Sequence, residues 1–134
     1  IQNKVQAEVN CPHKVSTDKK WILFILNQIV LNSVKYRKEE GAKIWIYTIA
    51  DDEGISLIVR DNGVGIPKAE QKKIFEKGFT GSNGRTHEHS TGMGLYLCRK
   101  LCGKLGIAIQ AKSQEGSGTE LMISFPVSSY LSKL

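Results

Sequence analysis

The stretch Ile55-Ser56-Leu57-Ile58-Val59-Arg60-Asp61-Asn62-Gly63-Val64-Gly65 decides how this chain folds. Ile55, Leu57 and Val59 recur at every second residue, the period at which a strand presents one face. The same period puts Asp61 on that apolar face, at the strand's end and just before two glycines. A carboxylate there needs a partner, because burying a lone charge is costly. The run reads as a strand that delivers one acid to a ligand.

Working backward, Asp51-Asp52-Glu53-Gly54 reads as the turn of a hairpin between strands at about 43–50 and 54–61. Before it, Ser16-Thr17-Asp18 is an N-cap cluster that opens a helix running to about Lys38, with Gly41 closing it as a C-cap glycine. Trp21, Ile22, Ile25, Leu26 and Ile29 form its expected apolar face. Val5, Ala7 and Val9 alternate with Gln6 and Glu8, which predicts a first strand ending at Cys11-Pro12. Working forward, Ile66-Pro67 precedes a short helix at about 68–74. From Gly78 to Gly92 all periodicity is lost, and an irregular segment of that length in a compact domain is usually functional. Thr91 caps a helix at about 92–104 that ends at Gly106. Two last strands, about 107–113 and 119–126, flank Gly116-Ser117-Gly118. The order β-α-β-β-α-loop-α-β-β, with its hairpins, predicts an α+β fold: a two-layer α/β sandwich whose mixed sheet is covered on one face by about three helices. The strict βαβ alternation of a doubly wound sheet is lacking.

The chain has 134 residues, enough for one domain with a real core, and residues 1–134 read as a single unit. It begins at Ile1, which reads as a piece of a longer protein. No apolar run approaches the ~18 residues that a membrane span needs, and no signal peptide is evident. The net charge is +6, with nine Lys/Arg against seven Asp/Glu in residues 1–60 and ten against six in 61–134. This diffuse excess has no basic run and makes a poor nucleic-acid footprint. A bound polyphosphate is the milder explanation. Cys11, Cys98 and Cys102 cannot all pair. Cys98 and Cys102 share a helix face with Leu95 and Leu105, so they read as small core hydrophobes in a reducing, cytoplasmic setting.

The chemistry sits in four places that follow one another in order. On the first helix Gln28, Asn32 and Lys35 form a polar stripe beside the apolar face. An amide oxygen can ligate magnesium and a lysine can neutralise phosphate; for the stripe alone, a solvated surface is the alternative. Asp61-Asn62-Gly63-Val64-Gly65 comes next, then Thr91-Gly92-Met93-Gly94-Leu95, then Gly116-Ser117-Gly118-Thr119. Glycines let backbone approach a ligand closely, and free amides cradle anions. Neither the P-loop pattern nor the protein-kinase motif set is present. The combination points to ATP with magnesium, held in another way.

These motifs resemble the catalytic ATP-binding domain of bacterial sensor histidine kinases, part of the ATPase superfamily that includes gyrase, heat-shock chaperones and MutL repair proteins. Leu31-Asn32-Ser33-Val34-Lys35-Tyr36 resembles the N box, Asp61 to Gly65 the G1 box, and Ile74-Phe75-Glu76-Lys77-Gly78-Phe79 the F box. Thr91 to Leu95 resembles the G2 box, and Gly116 to Thr119 the final glycine motif. The loop Phe79 to Arg85 and the run Gly92 to Leu97 are similar to the intramembrane-sensing branch that responds to peptide antibiotics.

The resemblance implies a Bergerat-type ATP-binding fold and a role for each matched residue. Asp61 accepts a hydrogen bond from the adenine amine and, with Thr119, holds a ring-reading water. Gly63 and Gly65 leave room for the base. Asn32 ligates Mg2+, Gln28 stands where many members have asparagine, and Lys35 and Tyr36 touch phosphate or ribose. Residues 79–93 form a mobile ATP lid hinged at Gly92 and Gly94, with Arg85 reaching the outer phosphates. Ile66, Phe79, Met93 and Leu95 complete the implied contacts. Gln28 and Asn32 are the implied catalytic pair. The implied partners are a histidine-containing dimerisation domain of the same protein and a downstream response regulator, in a cytoplasmic domain of a membrane-anchored parent, with no direct nucleic-acid contact. His13, His87 and His89 lie outside the family's helical His-Glu-x-x-Thr-Pro context, so the acceptor histidine is expected elsewhere.

Overall fold

Asp18 opens the first helix, α1 (Lys19–Lys35): its side chain accepts a hydrogen bond from the Lys20 amide at 3.1 Å. In the computed structural model, residues 5–15, 17–79 and 94–126 are described. The other elements are β1 (Gln6–Asn10), β2 (Lys43–Asp51), β3 (Gly54–Asp61), α2 (Lys68–Gln71), α3 (Gly94–Leu105), β4 (Ala108–Gln114) and β5 (Gly118–Pro126). The strands form one sheet in the order β1-β2-β3-β5-β4. β1 pairs parallel to β2 and every other pair is antiparallel. The mixed two-layer α+β architecture expected from the sequence is the one found. Among the described residues no helix is long and apolar enough to cross a membrane.

The hairpin turn forms as read, with Asp51 Oδ1 accepting from the amides of Glu53 and Gly54 at 2.8 and 3.1 Å. Period two then aligns the inner faces of neighbouring strands. Ile46, Val59, Leu121 and Ala111 make one row across β2, β3, β5 and β4, and Thr48, Leu57, Ile123 and Ile109 the next. Against these rows pack Ile25 and Ile29 of α1 and Cys98 and Cys102 of α3, all essentially inaccessible. The thiols are core groups, as read. Burial pushes the Cys98 thiol up to about 12 and the Cys102 thiol to about 11. Asp61, Thr119 and Ser113 form the terminal inner row, where the apolar pattern turns polar.

Several boundaries differ from the sequence reading. α1 ends at Lys35 rather than near Lys38, because the carbonyl of Tyr36 is taken by the Val64 amide at 2.8 Å. Gly41 has positive φ but lies past that end, so it turns the chain into β2 without capping the helix. Trp21 is 37% exposed, edge-on to Phe24 and under Lys20, while Ile22, Ile25 and Ile29 carry the buried face. α2 stops at Gln71, and residues 72–78 continue as turns. β1 is an edge strand whose five residues are all exposed, so its alternation reflects propensity rather than burial.

Candidate functional site

At one end of the inner sheet face, the C-terminal half of α1 lies over the end of β3. Asp61, the last residue of β3, is 5% exposed. Its Oδ1 accepts from two backbone amides, Gly63 at 2.9 Å and Thr119 at 3.2 Å. Neither of these donors reaches Oδ2. Burial raises the Asp61 pKa, while the Gly63 amide, Ser33 and the Thr119 amide pull it down. Ser33 stands next to this carboxylate and favours its charge, with its Oγ just outside a hydrogen bond.

Ser33 is only 2% exposed. Among the described residues, Ser33 Oγ and Asn32 Nδ2 are the two buried side-chain polar atoms with no partner. A folded chain rarely leaves such atoms unmet, since each costs on the order of 1–3 kcal/mol. Here they are consecutive, on the helix turn that covers Asp61. Consecutive helix positions point about 100° apart, so Ser33 faces the Asp61 carboxylate while the Asn32 amide is the group left open to a polar ligand.

The glycines that follow Asp61 are required first by the protein's own backbone. A Cβ on Gly63 would run into the Tyr36 carbonyl and stand 3.0 Å from Asp61 Oδ1. Gly65, at φ +77°, is pressed against the carbonyl of Gln114 in the same way. The loop is further tied down by Gly116, whose amide donates to the Val64 carbonyl at 2.7 Å, and Lys38 Nζ donates to the Gly116 carbonyl at 3.1 Å. Asn62 serves the sheet: its Oδ1 accepts from the Lys43 amide at 2.8 Å and its Nδ2 donates to the Gly41 carbonyl at 2.9 Å.

The remaining predicted residues fall around this centre. Lys35 Nζ lies 5.5 Å from the Tyr36 ring centre, and burial lowers its pKa, partly offset by Glu70. Tyr36 is buried with Ile66 and Ile74, and Phe79 and Leu95 pack on the same cluster. A Cβ on Gly94 would meet Gln28 Oε1 at 2.7 Å, so Gln28 reaches the first residue of α3. Asn32, Lys35, Tyr36, Asp61, Gly63, Gly65, Ile66 and Thr119 therefore belong to one end of the fold. Arg85, Gly92, Met93, His87, His89 and the rest of the expected lid after Phe79 lie outside the described residues.

Four residues escaped the sequence reading. Ser33 was hidden between the two polar residues that drew notice. Ser113 was legible, since it continues the inward period of Ile109 and Ala111. Gln71 Nε2 holds the carbonyls of Ile66 and Ser113 at 2.8 and 3.0 Å, and Lys38 holds Gly116. No local pattern announces either of those two contacts. His13, read as a turn residue, is exposed and meets Thr48 Oγ1 at 2.7 Å.

Residues 17–129 match the family described as "Histidine kinase-, DNA gyrase B-, and HSP90-like ATPase". The chain belongs to that ATPase family. It is 36% identical over 127 residues to the sensor histidine kinase YxdK of Bacillus subtilis (strain 168), covering 93% of this chain and 39% of YxdK. It is 42% identical over 113 residues to the sensor protein kinase GraS of Staphylococcus aureus (strain JH1), covering 84% of this chain and 32% of GraS. The chain thus spans less than half the length of these relatives. Its fold matches the mycobacterial sensor histidine kinase MprB with a TM-score of 0.79 over 91% of this chain and 83% of that one, at 24% identity. The match to YxdK and GraS is consistent with the branch suggested by the sequence.

Proposed function

We propose that this chain binds Mg-ATP at the Asp61 end of the sheet and presents the γ-phosphate to a histidine on a separate dimerisation domain. The observation that carries the reading is the buried Asp61 carboxylate under the α1 turn that holds Ser33 against it and leaves the neighbouring Asn32 amide without a protein partner. In this reading Asp61 Oδ2 accepts from the adenine amine. Lys35 and Tyr36 meet phosphate or ribose, and Thr119 completes the base end. Gln28 steadies the first residue of α3, whose N-terminal amides favour negative charge. Ile66, Phe79 and Leu95 line the apolar side, and Arg85, Gly92 and Met93 are assigned to phosphate binding on their motif match alone.

Among the described residues no group of three or more His, Cys, Asp or Glu could cage a metal. The fit is instead to magnesium held mainly by phosphate oxygens and water with one protein ligand, its common mode in nucleotide sites. Asn32 suits that ligand. Its carboxamide has an unmet end, and the two ends are interchangeable by rotation. Bound there, the ion would neutralise phosphate charge. The protein's own part is positioning: it holds the terminal phosphorus in line with an incoming imidazole nitrogen. The new N–P bond forms as the β–γ bridging P–O bond breaks, and ADP departs with that electron pair.

The response regulator, the membrane-anchored parent, the cytoplasmic placement of this domain and the antibiotic-sensing branch are proposed on the likeness to YxdK and GraS. A serine kinase of the anti-sigma type, or a nucleotide-gated module without transfer, is the other reading. The named relatives are sensor kinases, which favours transfer to a histidine over both of these. The test supplies the chain with Mg-ATP and a separately made dimerisation domain. Acid-labile phosphate on that domain's histidine is expected. Nucleotide binding with no transfer to any supplied histidine domain would favour the gated module.

A further inference from the structure

Ser113 lies in the terminal inner row, next to Thr119 and one strand beyond Asp61. Its Oγ has three neighbours: the Ile66 amide at 2.8 Å, the Gly118 carbonyl at 3.0 Å and Thr119 Oγ1 at 2.8 Å. A hydroxyl has one hydrogen and two lone pairs. The Ile66 amide can only donate, so it uses one lone pair. The Gly118 carbonyl can only accept, so it takes the hydrogen. All three contacts are met together only in this arrangement. The second lone pair remains for Thr119, whose hydroxyl must then donate to Ser113. Gln71 fixes the arrangement from behind by holding the Ser113 carbonyl.

The Thr119 hydroxyl has therefore spent its only hydrogen and faces anything else as an acceptor. Asp61, its partner across the ladder, is an acceptor too when ionised. Resting on the adenine-nucleotide reading above, we propose that Ser113 is a positioning residue that sets base selectivity. By turning the Thr119 hydroxyl into an acceptor, it makes this end of the site favour a 6-amino purine and reject a 6-oxo purine. The exocyclic amine supplies a donor to the two acceptors. A 6-oxo group would place a third acceptor against them.

The test measures the affinities of Mg-ATP and Mg-ITP for the chain and for its Ser113→Ala, Ser113→Thr, Thr119→Val and Asp61→Asn variants. The ratio of the two affinities is the readout, because loss of folded protein moves both alike. The wild type should prefer ATP by about tenfold or more, the worth of one mismatched buried pair. Ser113→Ala frees the Thr119 hydroxyl to donate to the 6-oxo group, so the ratio should fall several-fold. Ser113→Thr keeps a hydroxyl and should restore it. Thr119→Val removes an acceptor, so ITP binding should hold or improve while ATP binding weakens.

A wild-type chain indifferent to the base, or a folded Ser113→Ala variant with the wild-type ratio, overturns the proposal. So does a Thr119→Val variant that loses ITP more than ATP, which would make Thr119 a donor. If Ser113→Ala fails to fold by circular dichroism, Thr119→Val decides. Asp61→Asn separates the two readings. ATP affinity unchanged in that variant would sink the proposed nucleotide site itself. ATP affinity lost there, with selectivity intact in Ser113→Ala, would sink only the role of Ser113.

Discussion

Val64 donates its backbone N–H to the carbonyl of Tyr36 at 2.8 Å. This one bond joins the loop leaving β3 to the end of α1, and so fixes where the Asp61 carboxylate stands relative to Asn32 and Ser33. It also explains why α1 stops short: the Tyr36 carbonyl is turned to a partner outside the helix. The Val64 carbonyl continues the chain of contacts to the Gly116 amide, and the Gly116 carbonyl returns to Lys38 just past the helix. The N-box helix, the first glycine loop and the last glycine hairpin are thus one connected unit.

Gly63 sits at the tightest point of that unit. Its replacement by alanine drives a methyl group into the Tyr36 carbonyl, which is backbone and cannot rotate away. Gly63→Ala should destabilise the domain by about 1–3 kcal/mol, the usual cost of overpacking, and should weaken nucleotide binding with it. Urea unfolding of the two proteins checks this. An alanine variant as stable as wild type would mean that the loop stands off from α1.

Asp61 makes stability and binding respond to pH in opposite directions. Its folded-state pKa is raised, mainly by burial. The folded form therefore holds the proton more tightly than the unfolded chain, whose aspartate titrates near 3.9. As pH rises through that window, the contribution of Asp61 to stability falls. Binding to the adenine amine needs the ionised carboxylate, so affinity should rise over the same range. Asp61→Asn should remove both trends. Oδ1 is held by two amides, so the variant's oxygen must take that place and its NH2 group the place of Oδ2. There it meets the adenine amine, donor against donor, at a cost of roughly tenfold or more in affinity. Titration calorimetry and thermal unfolding, run on both proteins across the acid range, measure the two slopes.

Much of this was legible because it obeys short periods. Period two alone carried Ile55 to Asp61 onto one face, and the same rule reaches Ser113 from Ile109 and Ala111. The Asp51 turn and the Asp18 cap are local chemistry and formed where expected. What sequence could not show is tertiary. The Tyr36 carbonyl is claimed by a residue 28 positions away, so α1 ends before its propensity does. Trp21 has the composition of a core residue but falls on the outer side of the helix. Gly63 and Gly65 invited a reading in terms of ligand space. Their closest neighbours are the protein's own carbonyls, a fact that only the packed loop reveals.

The thiols should divide two to one. Cys98 and Cys102 are buried, with thiols at about 12 and about 11, so at neutral pH neither offers thiolate or access. Cys11 is exposed. An aromatic disulfide reagent at mildly alkaline pH should report one fast thiol in the native chain and three in denaturant. Two or three fast thiols without denaturant would show that the contact between α1 and α3 opens readily.

Asn32 separates metal-dependent from base-dependent affinity. If its carboxamide holds magnesium on the phosphates, Asn32→Ala should weaken Mg-ATP and leave adenosine, which has no phosphates, bound as in the wild type. The loss should be on the order of 1–3 kcal/mol. The variant should not unfold the domain, because the wild-type Nδ2 has no internal partner to lose. Removing magnesium with a chelator should cost the wild type more affinity for ATP than it costs the variant. Titrations with Mg-ATP, metal-free ATP and adenosine on both proteins give the comparison. An equal loss for all three ligands would place Asn32 at the base instead, and equal chelator sensitivity would leave the metal to the phosphates alone.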